Sequence, residues 1–287
     1  MKIITEVEAM ASLCRGWKEK GLRIGLVPTM GGLHEGHLSL VRAARAGTDV
    51  VVVSIFVNPT QFRPGEDLAS YPRDIERDMS LLENEKVDGM FHPQPETMYP
   101  EGYRTYVEVH DFQDKLCGAV RPGHFRGVCT VVLKLFNIVR PDVAYFGWKD
   151  AQQVLVVRRM TADLNLDTEI VALPLVRDPD GLAMSTRNAY LSPDERAAAH
   201  LLSKSLAEAE AMIAAGETDP RAVVARVRNV LAAAPEIEIE YVAAVDTTNL
   251  EPLDRIVGEG LLALAARIGK TRLIDNILIH PKGEAPC

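Results

Sequence analysis

PTMGGLHEGH, Pro28 to His37, is the stretch on which the reading of this chain turns. An apolar run at Ile24 to Val27 leads into it and a helical pattern from about His37 to Ala46 leads out, so it is a strand-to-helix turn. Gly47 stops the helix, and the apolar run Val50 to Val57 completes a βαβ unit. Ligands of open α/β sheets bind at the carboxyl ends of strands, which is where this turn falls. Gly31 and Gly32 permit close backbone approach, and the following helix brings its N-terminal N–H groups and positive dipole end to the crevice. His34 and His37, flanking Gly36, can donate hydrogen bonds to phosphate oxygens as charge builds during displacement at phosphorus.

Outward from this unit the alternation continues. Helices are expected at Arg73 to Lys86, Gly127 to Ile138 and Ala151 to Asp163, and strands near Met90, at Val143 to Phe146 and at Thr168 to Leu173. Near-continuous apolar strands separated by helices imply a parallel sheet covered on both faces, a Rossmann-like doubly wound α/β fold. Upstream, Thr5 and Glu8 form a capping-box pattern for a first helix whose Val7, Met10, Cys14 and Trp17 share a face and which Gly21 ends. After about Val176 two Ala-rich helices, Pro193 to Ala214 and about Pro220 to Ala234, precede strands at Ile237 to Val245, Gly260 to Ala266 and Thr271 to Ile279. Strands in uninterrupted succession favour a small antiparallel sheet. Two domains follow: residues 1–176, a Rossmann-like nucleotide-binding domain, and residues 177–287, a smaller α+β lid domain, joined near the loop Arg177 to Asn188.

Bulk properties narrow the function class. A chain of 287 residues is long enough for two domains, and 47% hydrophobic with 25% charged residues is ordinary for a globular protein. A net charge of −8 with no dense Lys/Arg run disfavours nucleic acid as a partner, while leaving room for an anionic small substrate in a locally basic pocket. The run Val50 to Val57 is too short to span a bilayer and the N-terminus lacks a signal-peptide pattern, so a cytoplasmic location away from membranes is expected. Cys14, Cys117, Cys129 and Cys287 form no CxxC pair, which argues for idle thiols rather than zinc or disulfides.

Two further segments bear on chemistry. Met184-Ser185-Thr186-Arg187-Asn188 resembles a degenerate form of the KMSKS loop that accompanies the His-X-Gly-His pattern of nucleotidylyl transferases, and its hydroxyl and guanidinium can clamp a triphosphate. FGWKDAQQ, Phe146 to Gln153, follows a strand and opens a helix, so Lys149 reaches for phosphate while Asp150 serves the ribose or a helix cap. Standing alone, an HxxH pair is equally a metal half-site or two surface histidines, and the Ser/Asn-rich segment an ordinary turn. Their joint occurrence on strand-to-helix turns favours a nucleotide. GxGxxG is absent, and Gly269-Lys270-Thr271 lacks the preceding glycine of a P-loop, where Leu264 stands.

PTMGGLHEGH, VNPTQF (Val57 to Phe62), YPRD (Tyr71 to Asp74), RPGHFRGV (Arg121 to Val128), FGWKDAQQ and LAMSTRNAYL (Leu182 to Leu191) together resemble the pantoate–β-alanine ligase family along nearly the whole chain. The resemblance implies an ATP-dependent condensation of pantoate with β-alanine to pantothenate through a pantoyl-adenylate, releasing AMP and pyrophosphate, with Mg2+ and a homodimer. Carried over by position, it assigns Met30, Gly31, His34, His37, Lys149, Ser185 and Arg187 to ATP and adenylate formation, with His37, His34, Lys149, Ser185 and Arg187 catalytic. Gly147 and Asp150 fall to the ribose, and Val176 and Met184 near the adenine. Gln61 and Gln153 resemble pantoate-binding glutamines; Asn58, Arg121 and His124 line up near the substrates; Asp78 matches an acidic residue near magnesium. Several have a plainer alternative, such as a turn at Asn58-Pro59. Trp148 and Ala151 depart from the family pattern.

No Ser or Cys sits in a nucleophile arrangement, so the substrate carboxylate itself is expected to attack phosphorus. Two rivals remain. A plain nucleotidylyltransferase shares the His-X-Gly-His turn but lacks the paired glutamines and the C-terminal domain, and a nucleotide-sensing protein would bind ATP without turnover.

Overall fold

The computed structural model describes residues 1–280. They form two compact units: Met1–Asp114 with Arg121–Trp148 and Gln152–Pro174, and Lys115–Val120 with Lys149–Ala151 and the chain from Leu175 onward. The two short segments put Lys149 and Asp150 in the second unit.

In chain order the elements are β1 (Lys2–Ile4), α1 (Val7–Glu19), β2 (Ile24–Thr29), α2 (Glu35–Gly47), β3 (Val50–Ile55), α3 (Ile75–Asn84), β4 (Gly89–Phe91), α4 (Pro95–Met98) and α5 (Leu116–Val120). There follow α6 (His124–Val139), β5 (Val143–Gly147), α7 (Ala151–Asp163), β6 (Glu169–Leu173), α8 (Pro193–Ala215), α9 (Pro220–Leu231), β7 (Ile237–Val245), β8 (Gly260–Ile268) and β9 (Thr271–Ile279). Short 3-10 turns lie at Pro59–Gln61, Trp148–Asp150 and Thr186–Tyr190.

The first unit is a six-stranded sheet in the order β1-β4-β3-β2-β5-β6, with every pairing parallel. Its central strands are apolar because they are covered on both faces: β3 is buried at all six positions, and β2 at all but Pro28. From β2 the chain steps outward through β3 to β4, whereas β5 and β6 build away from β2 on its other side. The reversal therefore falls between β2 and β5, paired at Gly25↔Val143 and Leu26↔Ala144, and opens a crevice beyond their carboxyl ends.

The second unit is the antiparallel sheet β7-β8-β9 with helices α8 and α9. Leu202, Leu206, Val223, Val227, Leu262 and Leu264 belong to its core, all at most 1% exposed. A capping box that the sequence reading did not single out fixes the start of α8: Ser192 Oγ accepts the Glu195 N–H and Glu195 accepts the Ser192 N–H.

Some local expectations fail for identifiable reasons. Thr5 and Glu8 form no capping box; Glu6 is the N-cap of α1, Thr5 Oγ1 turns to Glu6 at 3.4 Å and Glu8 pairs with Arg15 at 2.8 Å. The apolar face of α1 is as read, with Met10 and Cys14 buried. Strand β1 was not foreseen, because three mostly exposed residues carry no alternation, and its place is set by pairing with β4. Cys14, Cys117 and Cys129 are buried free thiols, and burial pushes Cys14 and Cys129 up to about 12; Cys287 lies outside the described residues. Among the described residues no helix is long and apolar enough to cross a membrane.

Candidate active site

Met30 to His34 cross from the end of β2 to the start of α2. Gly31 and Gly32 have φ of +83° and +61°, the left-handed region that only glycine enters without strain, and a Cβ on Gly31 would meet Asp78 and Ile55 at 3.0 Å. The loop is held from α3 by two consecutive residues. Asp78 Oδ2 accepts the Gly32 N–H and Oδ1 the Leu33 N–H, both at 2.8 Å, while Arg77 donates to the Leu33 carbonyl at 3.0 Å. Asp78 is 1% exposed; burial raises its pKa, and the two amide hydrogen bonds offset this only in part. Both carboxylate oxygens thus serve the loop, and the arrangement does not fit a resident metal ligand. Among the described residues no group of three or more His, Cys, Asp or Glu is gathered to hold a metal ion.

With the loop amides committed to Asp78, anion-binding capacity rests on the first turn of α2 and the two imidazoles. His34 is the N-cap of α2, and its N–H donates to His37 Nδ1 at 3.4 Å. A backbone nitrogen can only donate, so Nδ1 is the acceptor and the neutral ring carries its proton on Nε2, as a donor to phosphate requires. The two rings lie 4.1 Å apart between centroids, tilted by 36°. Gly147 closes β5 at the other lip of the same crevice, followed by Trp148, whose ring stacks under Arg158 at 5.3 Å. Gln153 stands in the first turn of α7 and is half-buried.

The remaining predicted residues of this unit converge on Gln61, in the 3-10 turn Pro59–Gln61. Asn58 caps that turn, accepting the Thr60 N–H, and its Nδ2 donates to Gln61 Oε1 at 3.0 Å and to the Gly127 carbonyl at 3.1 Å. His124 Nδ1 and Arg121 Nη2 both reach the Gln61 carbonyl, at 2.9 and 3.2 Å. Because that oxygen can only accept, His124 carries its proton on Nδ1 and takes a hydrogen bond from Arg121 on Nε2. Gln61 Nε2 points at Met30 Sδ, 3.1 Å away, which joins this turn to the His34 loop. Asn58, Arg121 and His124 therefore shape Gln61.

Sequence reasoning missed three residues here. Glu66 pairs with Arg121 through both oxygens, at 2.8 and 2.5 Å. Burial pushes its carboxyl up, but the hydrogen bonds and charge of Arg121 outweigh burial and leave it below the ordinary value. Tyr99 donates to Asn58 Oδ1 at 2.9 Å. Gly127 lies inside α6, where a Cβ would sit 2.4 Å from the Thr60 carbonyl and 2.6 Å from the Gln61 nitrogen. A glycine inside a helix costs about 1 kcal/mol against alanine, so a Gly within a helical pattern is the signal that could have flagged this approach.

Lys149, Asp150, Val176, Met184, Ser185 and Arg187 stand in the second unit. Lys149 Nζ lies 3.7 Å from Asp150, and its carbonyl accepts from Asn276 at 3.1 Å, tying the segment to β9. Met184 N–H donates to the Val176 carbonyl, and Arg177 grips the buried Asp275 with two bonds of 2.7 and 3.0 Å. These ties make the predicted loop a short, ordered hairpin. Ser185 then caps the turn Thr186–Tyr190, its oxygen accepting the Arg187 N–H at 3.3 Å while the hydroxyl proton remains for another acceptor.

Residues 2–278 match the family described as pantoate-beta-alanine ligase. The chain is 56% identical over 284 residues to the pantothenate synthetase of Heliobacterium modesticaldum, covering 98% of this chain and 100% of that one. It is 55% identical over 279 residues to that of Thermotoga neapolitana, covering 97% and 100%. The crystal structure of pantothenate synthetase from Thermus thermophilus superposes with a TM-score of 0.92 at 44% identity, over 98% of this chain and 100% of the other. A pantoate-beta-alanine ligase from Francisella tularensis, described as complexed with beta-gamma ATP and beta-alanine, gives 0.79 at 34% identity and 97% coverage of each. Sheet order, the C-terminal antiparallel sheet and end-to-end similarity at this identity lead to one assignment: the chain belongs to the pantoate-beta-alanine ligase family and is a ligase.

Proposed function

We propose that this ligase joins pantoate to β-alanine in two steps: the pantoate carboxylate attacks the α-phosphorus of ATP to give pantoyl-adenylate and pyrophosphate, and the β-alanine amine then displaces AMP to give pantothenate. The observation that carries this reading is the paired imidazoles at the start of α2, with the proton of His37 on Nε2 by virtue of the His34 N–H. Such a donor meets negative charge as it develops on the phosphate, and the helix N-terminus adds a positive end. Lys149, Ser185 and Arg187 supply two cations and a hydroxyl to the phosphates, Gly147 and Asp150 serve the ribose, and Val176 and Met184 the adenine. Gln61 and Gln153 bind pantoate through neutral amide donors suited to its oxygens.

ATP enters as its magnesium complex, the metal carried by phosphates and water rather than by side chains. In-line positioning of carboxylate and phosphorus contributes the larger part of the rate, about 7–11 kcal/mol in favourable cases. Residues 1–176 carry the nucleotide and pantoate, residues 177–287 act as a lid, and the enzyme works as a cytoplasmic homodimer. The relative from Francisella tularensis, described as complexed with beta-gamma ATP and beta-alanine, supports the choice of substrates.

The test is pantoate-dependent exchange of labelled pyrophosphate into ATP without β-alanine. Exchange establishes the adenylate; its absence in a folded, ATP-binding protein rejects it.

A further inference from the structure

Gln61 is assigned to pantoate, but a glutamine amide presents either a donor or an acceptor, and the two ends select different substrates. We propose that Tyr99 is a positioning residue which, through Asn58, fixes the Gln61 side chain with its NH2 group toward the substrate, so that the site demands an oxygen acceptor there. The inference rests on the assignment of pantoate to Gln61 and names what sets its polarity.

The orientation follows from groups whose roles cannot be exchanged. The Thr60 backbone N–H, a donor only, faces Asn58 at 3.3 Å, so that atom of Asn58 is oxygen. The Gly127 carbonyl, an acceptor only, faces the other end at 3.1 Å, so that atom is nitrogen. Asn58 Oδ1 also accepts from Thr60 Oγ1 and Tyr99 OH, both at 2.9 Å, and Asn58 is 1% exposed. Turning this amide over would place a donor against the Thr60 N–H and an acceptor against the Gly127 carbonyl.

With Asn58 Nδ2 pointed at Gln61 at 3.0 Å, only the oxygen of Gln61 can face it. Nε2 is left at the far end, beside Met30 Sδ, a weak acceptor that a substrate oxygen outcompetes. A mostly buried glutamine, 9% exposed, does not exchange its ends at low cost.

Tyr99 holds the outer end of the chain firmly. Its ring packs edge-on against Tyr103 at 5.1 Å and tilted against Phe56 at 6.2 Å, with Lys134 Nζ 5.7 Å from its centroid. Burial raises its hydroxyl to about 12, so it keeps the proton it donates to Asn58.

The test compares wild type with Tyr99→Phe and Asn58→Asp, using pantoate and its neutral amide, pantoamide, as a competitive inhibitor that replaces an acceptor by a donor. Tyr99→Phe keeps the ring packing, and its pantoate KM is expected to rise roughly 3- to 10-fold with the ATP KM unchanged. Asn58→Asp puts oxygen where Nδ2 stood and turns the Gln61 amide over. The preference for pantoate over pantoamide is then expected to shrink on the order of 10-fold or more.

A pantoate KM unchanged in Tyr99→Phe overturns the inference, as does an Asn58→Asp enzyme whose preference matches wild type. If Asn58→Asp fails to fold, the KM split of Tyr99→Phe decides alone. Wild type inactive with pantoate rejects the substrate assignment itself, whereas active wild type with unaltered variants rejects only the role of Tyr99 and Asn58.

Discussion

Asp78 Oδ1 accepts the Leu33 backbone N–H at 2.8 Å across 45 residues of sequence, and the adjoining Arg77 takes the Leu33 carbonyl, so one helix turn holds both ends of one loop residue. Asp78→Ala leaves two amides without their acceptor, each costing about 1–3 kcal/mol. Urea unfolding is expected to show a loss of roughly 2–5 kcal/mol, and Asp78→Asn, which still accepts from one amide, a smaller one. Pyrophosphate exchange per folded molecule should fall in both.

In the proposed mechanism His37 meets charge only as it develops, so His37→Ala is expected to lower turnover on the order of 100-fold while the ATP KM changes little. Steady-state kinetics at saturating pantoate measures this. A loss confined to KM would make the ring a ground-state contact.

Magnesium travels with the triphosphate in this reading. Exhaustive chelation is expected to abolish turnover and added Mg2+ to restore it, with the half-saturating Mg2+ concentration the same in Asp78→Asn as in wild type. A large shift in that concentration would return Asp78 to the role of metal ligand.

Gly127→Ala drives a methyl into the Thr60 carbonyl, 2.4 Å from the Cβ position, and backbone on both sides gives little room. Overpacking of this kind costs about 1–3 kcal/mol. The expected outcome is a lower melting temperature and a raised pantoate KM, both read from the purified variant.

Glu66 lies below its ordinary value of 4.5 in the folded protein because Arg121 outweighs burial. Its ionised form therefore contributes stability above that value, and the contribution is lost as pH falls through the lower, folded value. The stability gap between wild type and Glu66→Gln should be widest near neutral pH and close below about pH 4.5, followed by denaturant unfolding across the range.

Much of the fold was legible because it is written locally. The apolar runs of β2, β3 and β5 need no partner to be recognised, and α7 and β9 fall on the residues expected, since caps and turns mark their ends. Strand β1 was illegible because a three-residue edge strand borrows its definition from β4. Within the site, the residues carried over by resemblance were visible, whereas the partners that orient them were not. Asp78 reads as an acidic residue near a phosphate loop, and only the fold reveals that its oxygens face amides. Tyr99 and Glu66 act on Asn58 and Arg121 across 41 and 55 residues, separations to which periodicity and short motifs are blind.

Gln61 is held by Asn58, Arg121, His124 and Gly127's close approach, with Tyr99 behind Asn58, so its ligands are drawn from positions 58 to 127. The contacts from Arg121, His124 and Gly127 exist only once the early turn and α6 have docked, so the full set around Gln61 belongs to the folded unit rather than to any fragment. If Gln61 binds pantoate as proposed, a partly folded chain is blind to the hydroxy acid whatever its helix content, and saturation with that ligand should delay unfolding of the whole first unit rather than of one loop.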